Sequence, residues 1–437
     1  MKKLFVSIGL VAAGTASLQA DYAPGLNSME TTKLWSLSAT LRGFYDDNYT
    51  TASGPNARGS SGFEVSPQFE LNVPLQQTEI SLKYTYGLYY YQDREDLGEN
   101  PIDQTHQLDL YVDHAFTERV KATFLDTFVV GQEPELLSQG ENISDPDRVE
   151  GNNIANYATF TLHNVWTRLL STDLGYENGF HDYQQHGNGN PSEEAANPSL
   201  AGVLNRDENT VWLNLNWQVM PETVALVGVQ YGQVNYLANE VIGQWPSPAI
   251  PIITYYSNSR DNRSYTGYLG IQQNILPNLV FAANVGIQYT EDYNDPLVHT
   301  TSLNPYAVAS LTYTYAPGDY AQIGINHMRN ATDQVAIDSN GGITLDQEST
   351  LAFADINHHL TPKLLATALG QVQLSTYNGG IYNNDLDTLY SLELSLNYVF
   401  TPHFSANAGY NYDYLQSQVP GTDYNRNRVY VGVSATY

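Results

Sequence analysis

Apolar and polar residues alternate strictly through most of the chain. In residues 390–398, Tyr and Leu at even positions alternate with Ser, Glu and Asn at odd positions, and residues 63–73 and 211–219 repeat the pattern. Successive side chains of a strand point to opposite faces, so each segment has one apolar and one polar face. Many segments reach about ten residues, which is the length that a tilted strand needs to cross a bilayer.

The alternation predicts about eighteen strands, within a range of sixteen to eighteen. A strand count of this size and even parity is typical of a bacterial single-chain barrel that encloses a water channel. The predicted strands are 33–45, 62–73, 78–91, 106–116, 119–130, 154–164, 166–176, 209–219, 223–231, 263–275, 279–289, 305–315, 320–328, 349–359, 364–376, 388–400, 404–414 and 426–437.

Short and long joins alternate between these segments. Several short joins contain Pro, which suits a tight turn because its φ is fixed and no ladder donor is lost. Outer-membrane barrels have short periplasmic turns and long extracellular loops. The sequence therefore predicts an all-β fold, a transmembrane antiparallel up-and-down β-barrel with short periplasmic turns and long extracellular loops. The long loops are predicted at 92–105, 131–153, 177–208, 232–262 and 329–348, and periplasmic turns at Pro221, Pro277, Pro362 and Pro402.

The N-terminus has the pattern of a secretory signal peptide. Lys2 and Lys3 precede a compact apolar stretch, and small residues lead to Ala20. This stretch is too short to be a spanning helix. We expect residues 1–20 to be a signal peptide, 21–32 a short periplasmic segment and 33–437 the transmembrane barrel.

Composition excludes several classes of function. The chain has 46 Asp+Glu against 18 Lys+Arg, a formal net charge of −28, which argues against nucleic acid as a partner. It has no Cys, which excludes a disulfide framework, a zinc ribbon and thiol catalysis. We find no motif for a nucleotide, metal or catalytic site. We therefore expect no catalytic residues, no metal site and no cofactor, and hence no enzyme.

The C-terminal strand has the pattern of an outer-membrane insertion signal, with an alternating apolar face that ends on an aromatic residue. This face consists of Val429, Val431, Val433, Ala435 and Tyr437. The segment 423–434, with Asp126-Thr127-Phe128, Glu133-Pro134 and the hairpin 398–404, resembles the putative beta-barrel porin 2 family. The resemblance implies a barrel in the outer membrane of a Gram-negative-type bacterium, and it implies no catalytic or ligand-binding residue.

Charged residues on the polar strand faces are predicted to line the pore, because the opposite faces must meet lipid. The acids outnumber the bases, which predicts a mild preference for cations. An apolar run in the loop 232–262 is predicted to fold over the pore mouth or into the lumen as a constriction, or to contact a subunit or partner. The predicted pore-lining residues are Arg42, Glu64, Glu70, Lys83, Asp109, Asp113, Glu393, Asp413, Arg426 and Arg428. The predicted constriction residues are Trp245, Ile252, Ile253 and Tyr255.

These features predict a porin-like channel for passive diffusion of small hydrophilic solutes. A receptor with a plugged lumen would need about twenty-two strands and an N-terminal plug. Two alternatives stay open at this point, a barrel component of polysaccharide or polymer export and a soluble extracellular β-sheet adhesin. The expected partners are outer-membrane lipid, the barrel-assembly machinery during insertion and small hydrophilic solutes, and a homo-oligomer is left open.

Overall fold

Eighteen strands form one closed antiparallel sheet, which confirms the predicted barrel. The computed structural model describes residues 34–132, 140–146, 151–246 and 252–437. The first and last strands pair along their length, from Ser38 opposite Thr436 to Asp46 opposite Arg428. This pairing closes the ring and leaves no open sheet edge in the membrane.

The barrel strands are numbered with the two strands of a small separate hairpin, β10 and β11, in chain order. They are β1 (Trp35–Asp46), β2 (Ser60–Pro74), β3 (Thr78–Tyr91), β4 (Ile102–Ala115), β5 (Val120–Gly131), β6 (Asn153–Val165), β7 (Leu170–Tyr183), β8 (Arg206–Met220), β9 (Thr223–Tyr236), β10 (Val241–Trp245), β11 (Ile253–Tyr256), β12 (Asn262–Leu276), β13 (Leu279–Asp292), β14 (Thr300–Ala316), β15 (Asp319–Asn330), β16 (Thr344–Thr361), β17 (Leu364–Gly379), β18 (Leu386–Thr401), β19 (Phe404–Ser417) and β20 (Tyr424–Thr436). Three short helices lie in the long loops: α1 (Gln92–Leu97), α2 (Pro191–Ala196) and α3 (Leu200–Leu204).

Each predicted segment corresponds to one barrel strand, and the short joins are where the alternation placed them. The strands extend further on the long-loop side than predicted. Strand β7, for example, runs to Tyr183 rather than 176, and β16 starts at Thr344 rather than 349. The alternation fades there because polar side chains occupy both faces once the strand has left the apolar band. Hydrogen bonding in the ladder nevertheless continues.

Aromatic side chains form belts on the outer surface. Tyr231, Tyr265 and Tyr289 lie on three neighbouring strands towards the long loops, with ring centroids 5.3 and 6.5 Å apart. Near the short turns, the rings of Phe400 and Phe404 stack at 5.6 Å. Aromatic rings favour the two membrane–water interfaces, so the apolar surface between these belts faces lipid.

On the inner face, large rings lie flat against glycines of the neighbouring strand. A Cβ at Gly175 would fall 2.0 Å from the Trp212 ring, and one at Gly228 would fall 2.2 Å from the Tyr268 ring. Glycine is required at both positions because any other residue would lift the ring away from the wall. These rings therefore take up little of the lumen.

Three long loops, 184–205, 237–261 and 331–343, pack together on the long-loop side, and we call this group the cap. Its core contains Leu204 from the first loop and Ile242 and Tyr255 from the second. These side chains are buried against Ile343 at the end of the third. The Arg260 guanidinium joins the three regions, since it donates to the carbonyl oxygens of Val203 at 3.2 Å, Thr332 at 2.6 Å and Leu345 at 3.4 Å.

The predicted signal peptide, 1–20, and periplasmic segment, 21–32, lie outside the described residues and stay predictions. Within the described residues, no helix is both long and apolar enough to cross a membrane.

Candidate functional site

Residues 140–146, which we call the lumen segment, belong to the loop between β5 and β6 but contact the opposite wall. Nine strands, β6 to β16, lie on one side of that loop, and nine, β17 to β20 with β1 to β5, lie on the other. The diametrically opposite position is therefore the β16–β17 boundary. The lumen segment binds there, on the far side of the lumen from β5 and β6.

Two glutamines of the opposite wall hold the backbone of Ile143. Ile143 N donates to Gln373 Oε1 at 2.7 Å, and Gln373 Nε2 donates back to Ile143 O at 2.7 Å. Gln347 Nε2 donates to the same carbonyl oxygen at 2.9 Å. The Ile143 side chain is buried with Leu389 and Leu415. Paired hydrogen bonds from side-chain amides fix both the position and the orientation of the segment.

The start of the lumen segment lies deep in the barrel. Gly140, with φ of 80°, is so close to Phe353 that an added Cβ would be 3.1 Å from the ring. Phe353 lies in the middle of β16, well below the long-loop end at Thr344. Asn326 Nδ2 donates to Gly140 O at 3.2 Å. The segment therefore lies within the lumen rather than over its mouth.

The far end of the lumen segment is held by charge and by a hydroxyl group. Asp145 lies 3.5 Å from the buried Arg206 guanidinium, which also donates to Glu208 at 2.6 Å. Tyr424 Oη donates to the carbonyl oxygen of Pro146 at 3.1 Å. An Arg in contact with two carboxylates has its charge compensated, which a buried guanidinium requires.

The ten predicted pore-lining side chains all lie on the inner face of their strands, the face opposite the exposed apolar residues. Their exposure divides them. Six are less than one tenth exposed: Arg42, Glu64, Glu70, Asp413, Arg426 and Arg428. The other four, Lys83, Asp109, Asp113 and Glu393, are partly exposed.

Many inner-face charges are paired along the wall. Arg42 Nη1 lies 3.3 Å from Glu64, and Lys83 Nζ lies 3.9 Å from Asp109. Asp113 lies 3.0 Å from Lys121, which the sequence analysis missed because the alternation in 119–130 is interrupted by Asp126.

Arg426 and Arg428 contact side chains of the barrel wall. Arg426 pairs with Asp46 of the adjacent strand β1 at 2.6 Å, because closure of the ring brings β20 beside β1. The Arg428 guanidinium lies over the Phe44 ring, 4.5 Å from its centroid.

The four predicted constriction residues belong to the β10–β11 hairpin of the cap or lie beside it, and residues 247–251 of that loop lie outside the described part. Tyr255 is fully buried, and this burial raises the pKa of its hydroxyl to about 12. Trp245 and Ile253 pack against the cap core, whereas Ile252 is exposed. The hairpin is therefore not a free surface loop, and its role as a constriction stays a prediction.

Acidic groups of the cap differ in their titration. At Glu240, burial raises the pKa, but hydrogen bonds from Ser199, Gly187 and His186 outweigh it and hold the pKa below its ordinary value. Burial dominates at Asp261 and raises the pKa of that carboxyl, against hydrogen bonds from Tyr236 N and Asn294.

Histidines do not assemble a metal site in the described residues, where no group of three or more metal-ligating side chains occurs. His186 pairs with Glu240 at 2.7 Å, whereas His181 lies 4.0 Å from Glu208 on the barrel wall.

Part of the chain matches a known protein family. The family model described as putative beta-barrel porin 2 matches residues 253–437, the C-terminal part of the chain. A search of curated proteins gives no match.

Three solved structures match most of the chain at low sequence identity. The outer membrane protein opdK from Pseudomonas aeruginosa and a BenF-like porin from Pseudomonas fluorescens Pf-5 each have 10% sequence identity and a TM-score of 0.45, covering 92% of this chain and 99% of theirs. OccK9 (OpdG) from Pseudomonas aeruginosa has 12% identity and a TM-score of 0.44, covering 92% and 98%.

The chain is a closed eighteen-stranded β-barrel, and its residues 253–437 resemble the putative beta-barrel porin 2 family.

Proposed function

We propose that this porin-like barrel is a channel for passive diffusion of small hydrophilic solutes, and that the lumen segment sets the size limit. The main observation behind the proposal is that Gln347 and Gln373 of the opposite wall form hydrogen bonds with the backbone of Ile143. An eighteen-stranded barrel is wide enough for an aqueous channel, and a loop folded across it leaves a narrower path.

The path left for solutes runs along β3 to β5. There Lys83, Asp109, Asp113 and Lys121 keep partly exposed side chains on the inner face. Glu79 and Gln107 add further polar groups to the same face. Water and hydrated solutes pass this wall without having to displace packed side chains.

A mild cation preference is the second part of the proposal. The predicted pore-lining set has six acids and four bases, and Glu79 makes seven acids against four bases. An excess of carboxylates raises the local cation concentration. Pairing with Lys83 and Lys121 reduces the excess, and salt screens charges beyond about 8 Å at physiological ionic strength. The preference is therefore modest and is largest in dilute salt.

The cap is proposed as a second narrowing, at the extracellular mouth. Its buried core and the hydrogen bonds from Arg260 to the two other cap loops support a fixed arrangement over the pore. The residues Trp245, Ile253 and Tyr255 contribute to that arrangement through the β10–β11 hairpin.

Two alternatives fit less well. A polymer-export barrel needs a clear lumen for a continuous chain, whereas the lumen segment lies inside this one. Aromatic belts around a closed apolar surface are typical of a barrel in a membrane and not of a soluble adhesin.

Recording in planar bilayers tests the proposal. The purified barrel should give stepwise currents in KCl. In a salt gradient it should give a small reversal potential whose sign indicates cation selectivity. Absence of channels from correctly folded, heat-modifiable protein would refute the diffusion function. An anion-selective or zero reversal potential would refute only the charge preference.

A further inference from the structure

One aromatic side chain of the inner wall is exposed to the lumen. Tyr157 of β6 lies opposite Thr127 of β5, whose hydroxyl donates to the inner-face carboxylate of Asp109 at 3.1 Å. The Tyr157 side chain therefore belongs to the inner face, next to the solute path along β3 to β5. Tyr157 is 38% exposed, whereas Trp212 on the same face is 3% exposed. Its ring is therefore accessible to a solute in the pore.

Side chains of three neighbouring strands converge at Gly179 of β7. A Cβ added to this glycine would lie 3.7 Å from Glu208 Cβ, 4.0 Å from His181 Nε2 and 4.0 Å from Tyr157 Cδ1. The rings of His181 and Tyr157 meet edge to face, with centroids 5.5 Å apart. His181 Nε2 lies 4.0 Å from Glu208 Oε1. Because Gly179 has no side chain, a recess remains between an aromatic ring and a carboxylate.

A second carboxylate borders this recess. Glu177 lies two residues before Gly179 on β7, so its side chain points to the same inner face. Its Oε2 atom is buried and accepts no hydrogen bond in the part of the chain that the structure describes. The charged groups that act on Glu177 are Glu141 of the lumen segment and Glu208, and both are acidic. A buried carboxylate in such surroundings requires a positive charge beside it.

A base near the recess is already compensated by other carboxylates. Arg206 Nε donates to Glu208 Oε1 at 2.6 Å, and its Nη1 lies 3.5 Å from Asp145 Oδ1. The Arg206 side chain is 1% exposed and also donates to the carbonyl oxygen of Leu204 at 3.1 Å. Because these contacts fix the guanidinium, it does not neutralise Glu177, and a positively charged solute can take that role.

We propose that the recess, formed by Tyr157, Glu177, His181 and Glu208 around Gly179, binds small organic cations that carry an ammonium group. This inference rests on the proposed diffusion function and names a class of solute for it. An ammonium group within about 6 Å of the Tyr157 centroid gains cation–π attraction. The Glu177 carboxylate supplies the counter-charge.

Other solutes gain less from this combination. The water shell of a small inorganic cation keeps its charge away from the ring, and a neutral sugar leaves the Glu177 carboxylate uncompensated.

Choline and its neutral isostere 3,3-dimethyl-1-butanol test the site, because they have nearly the same shape and differ in charge. Single-channel current in KCl should fall as choline is added and should not fall with the same concentration of the isostere. Tyr157→Leu and Glu177→Gln should each weaken the block by choline about five-fold or more. Asp173→Asn is the matched control, because Asp173 is on the same face of β7 but is held by His163 at 2.6 Å and Asn216 at 2.5 Å. It should keep the block.

Calorimetry on the folded barrel in detergent separates this inference from the diffusion function, because binding requires no current. Choline binding that is lost in Tyr157→Leu and Glu177→Gln, both with heat-modifiable mobility, supports the recess even if bilayers show no channels, and then only diffusion is refuted. Channels that choline does not block, together with no choline binding in detergent, overturn the site. Equal binding of choline and the isostere overturns the class of ligand. Unchanged affinity in Glu177→Gln overturns the role of that carboxylate, because it shows that a proton already neutralises the group.

Discussion

The two halves of the inner wall have similar polar residues but different surroundings. On β16 and β17, Gln347 and Gln373 are at most 1% exposed because the lumen segment covers them. On β3 and β4, the side chains of Lys83 and Asp109 are 16% and 19% exposed and contact each other. We call these the packed wall and the open wall. The comparison shows that alternation gives an inner face, whereas a loop from across the barrel decides which part of that face meets water.

The packed wall forms hydrogen bonds with a peptide backbone, whereas the open wall carries charged side chains. Gln373 can donate and accept at once, so it pairs with both the N–H and the carbonyl group of Ile143. Lys83 and Lys121 can only donate, and they pair with carboxylates on the neighbouring strand. Neutral amides hold a loop without burying net charge, which avoids the desolvation that a buried ion pair incurs.

Removal of the lumen segment should have the largest effect, because it turns the packed wall into a second open wall. Replacing residues 133–150 by a short Gly–Ser turn is compatible with the fold, since Gly131 and Asn153 are already partners in the ladder. We expect single-channel conductance to rise by about two-fold or more, because a wider cross-section carries more hydrated ions.

A deletion in the cap provides the control for this variant. Removing residues 244–254 leaves the lumen segment in place and should raise conductance by less. If the 133–150 replacement leaves conductance unchanged while the cap deletion raises it, then the cap and not the lumen segment limits the pore.

Weakening the anchor should free the lumen segment without removing it. Gln373→Leu loses both hydrogen bonds to Ile143 and leaves a buried N–H without its acceptor, at a cost of about 1–3 kcal/mol. We expect a lower free energy of unfolding in urea and a noisier open-channel current. Gln218→Leu is the matched control, because the Gln218 side-chain amide donates hydrogen bonds to the carbonyl oxygens of Met220 and Pro221 in a turn and not to the lumen segment. Equal noise in the two variants would contradict the anchoring role.

The strands could be predicted from sequence because lipid on one side and polar surroundings on the other enforce alternation on each strand separately. Alternation also predicted that Arg42 and Asp109 lie on the inner face. The lumen segment could not be predicted in this way, because Ile143 is one apolar residue in a polar loop and its partners lie more than two hundred residues away. Neither could alternation reveal the pairing of Arg426 with Asp46, which depends on closure of the ring.

Charge selectivity should respond to the open wall more than to buried pairs. The double variant Asp109→Asn with Asp113→Asn removes the carboxylates that lie beside Lys83 and Lys121 in a partly exposed region. We expect the reversal potential in a KCl gradient to move through zero towards anions. Glu64→Gln with Glu70→Gln changes residues that are at most 5% exposed and should shift it less. A larger shift from the Glu64 and Glu70 pair would mean that solutes pass along β2 instead.

Acid should loosen the cap slightly, and this is the smallest effect that we expect. The pKa of Glu240 is held below its ordinary value of 4.5 in the folded cap. Its stabilising contribution is therefore present above that ordinary value and is lost as the pH falls through the lower folded value. Asp261 acts in the opposite sense, because its raised pKa makes ionisation unfavourable in the folded state and protonation relieves it. The net change is small, and Glu240→Gln isolates one part of it, since an amide keeps the size of the side chain but does not titrate.

We expect conductance of the unmodified channel to rise modestly between pH 5 and pH 3, and we expect a smaller rise in Glu240→Gln, with the open wall unaffected. If both channels show the same rise in conductance in acid, the rise comes from the inner wall and Glu240 does not control the cap, because protonation of Asp261 stabilises the cap.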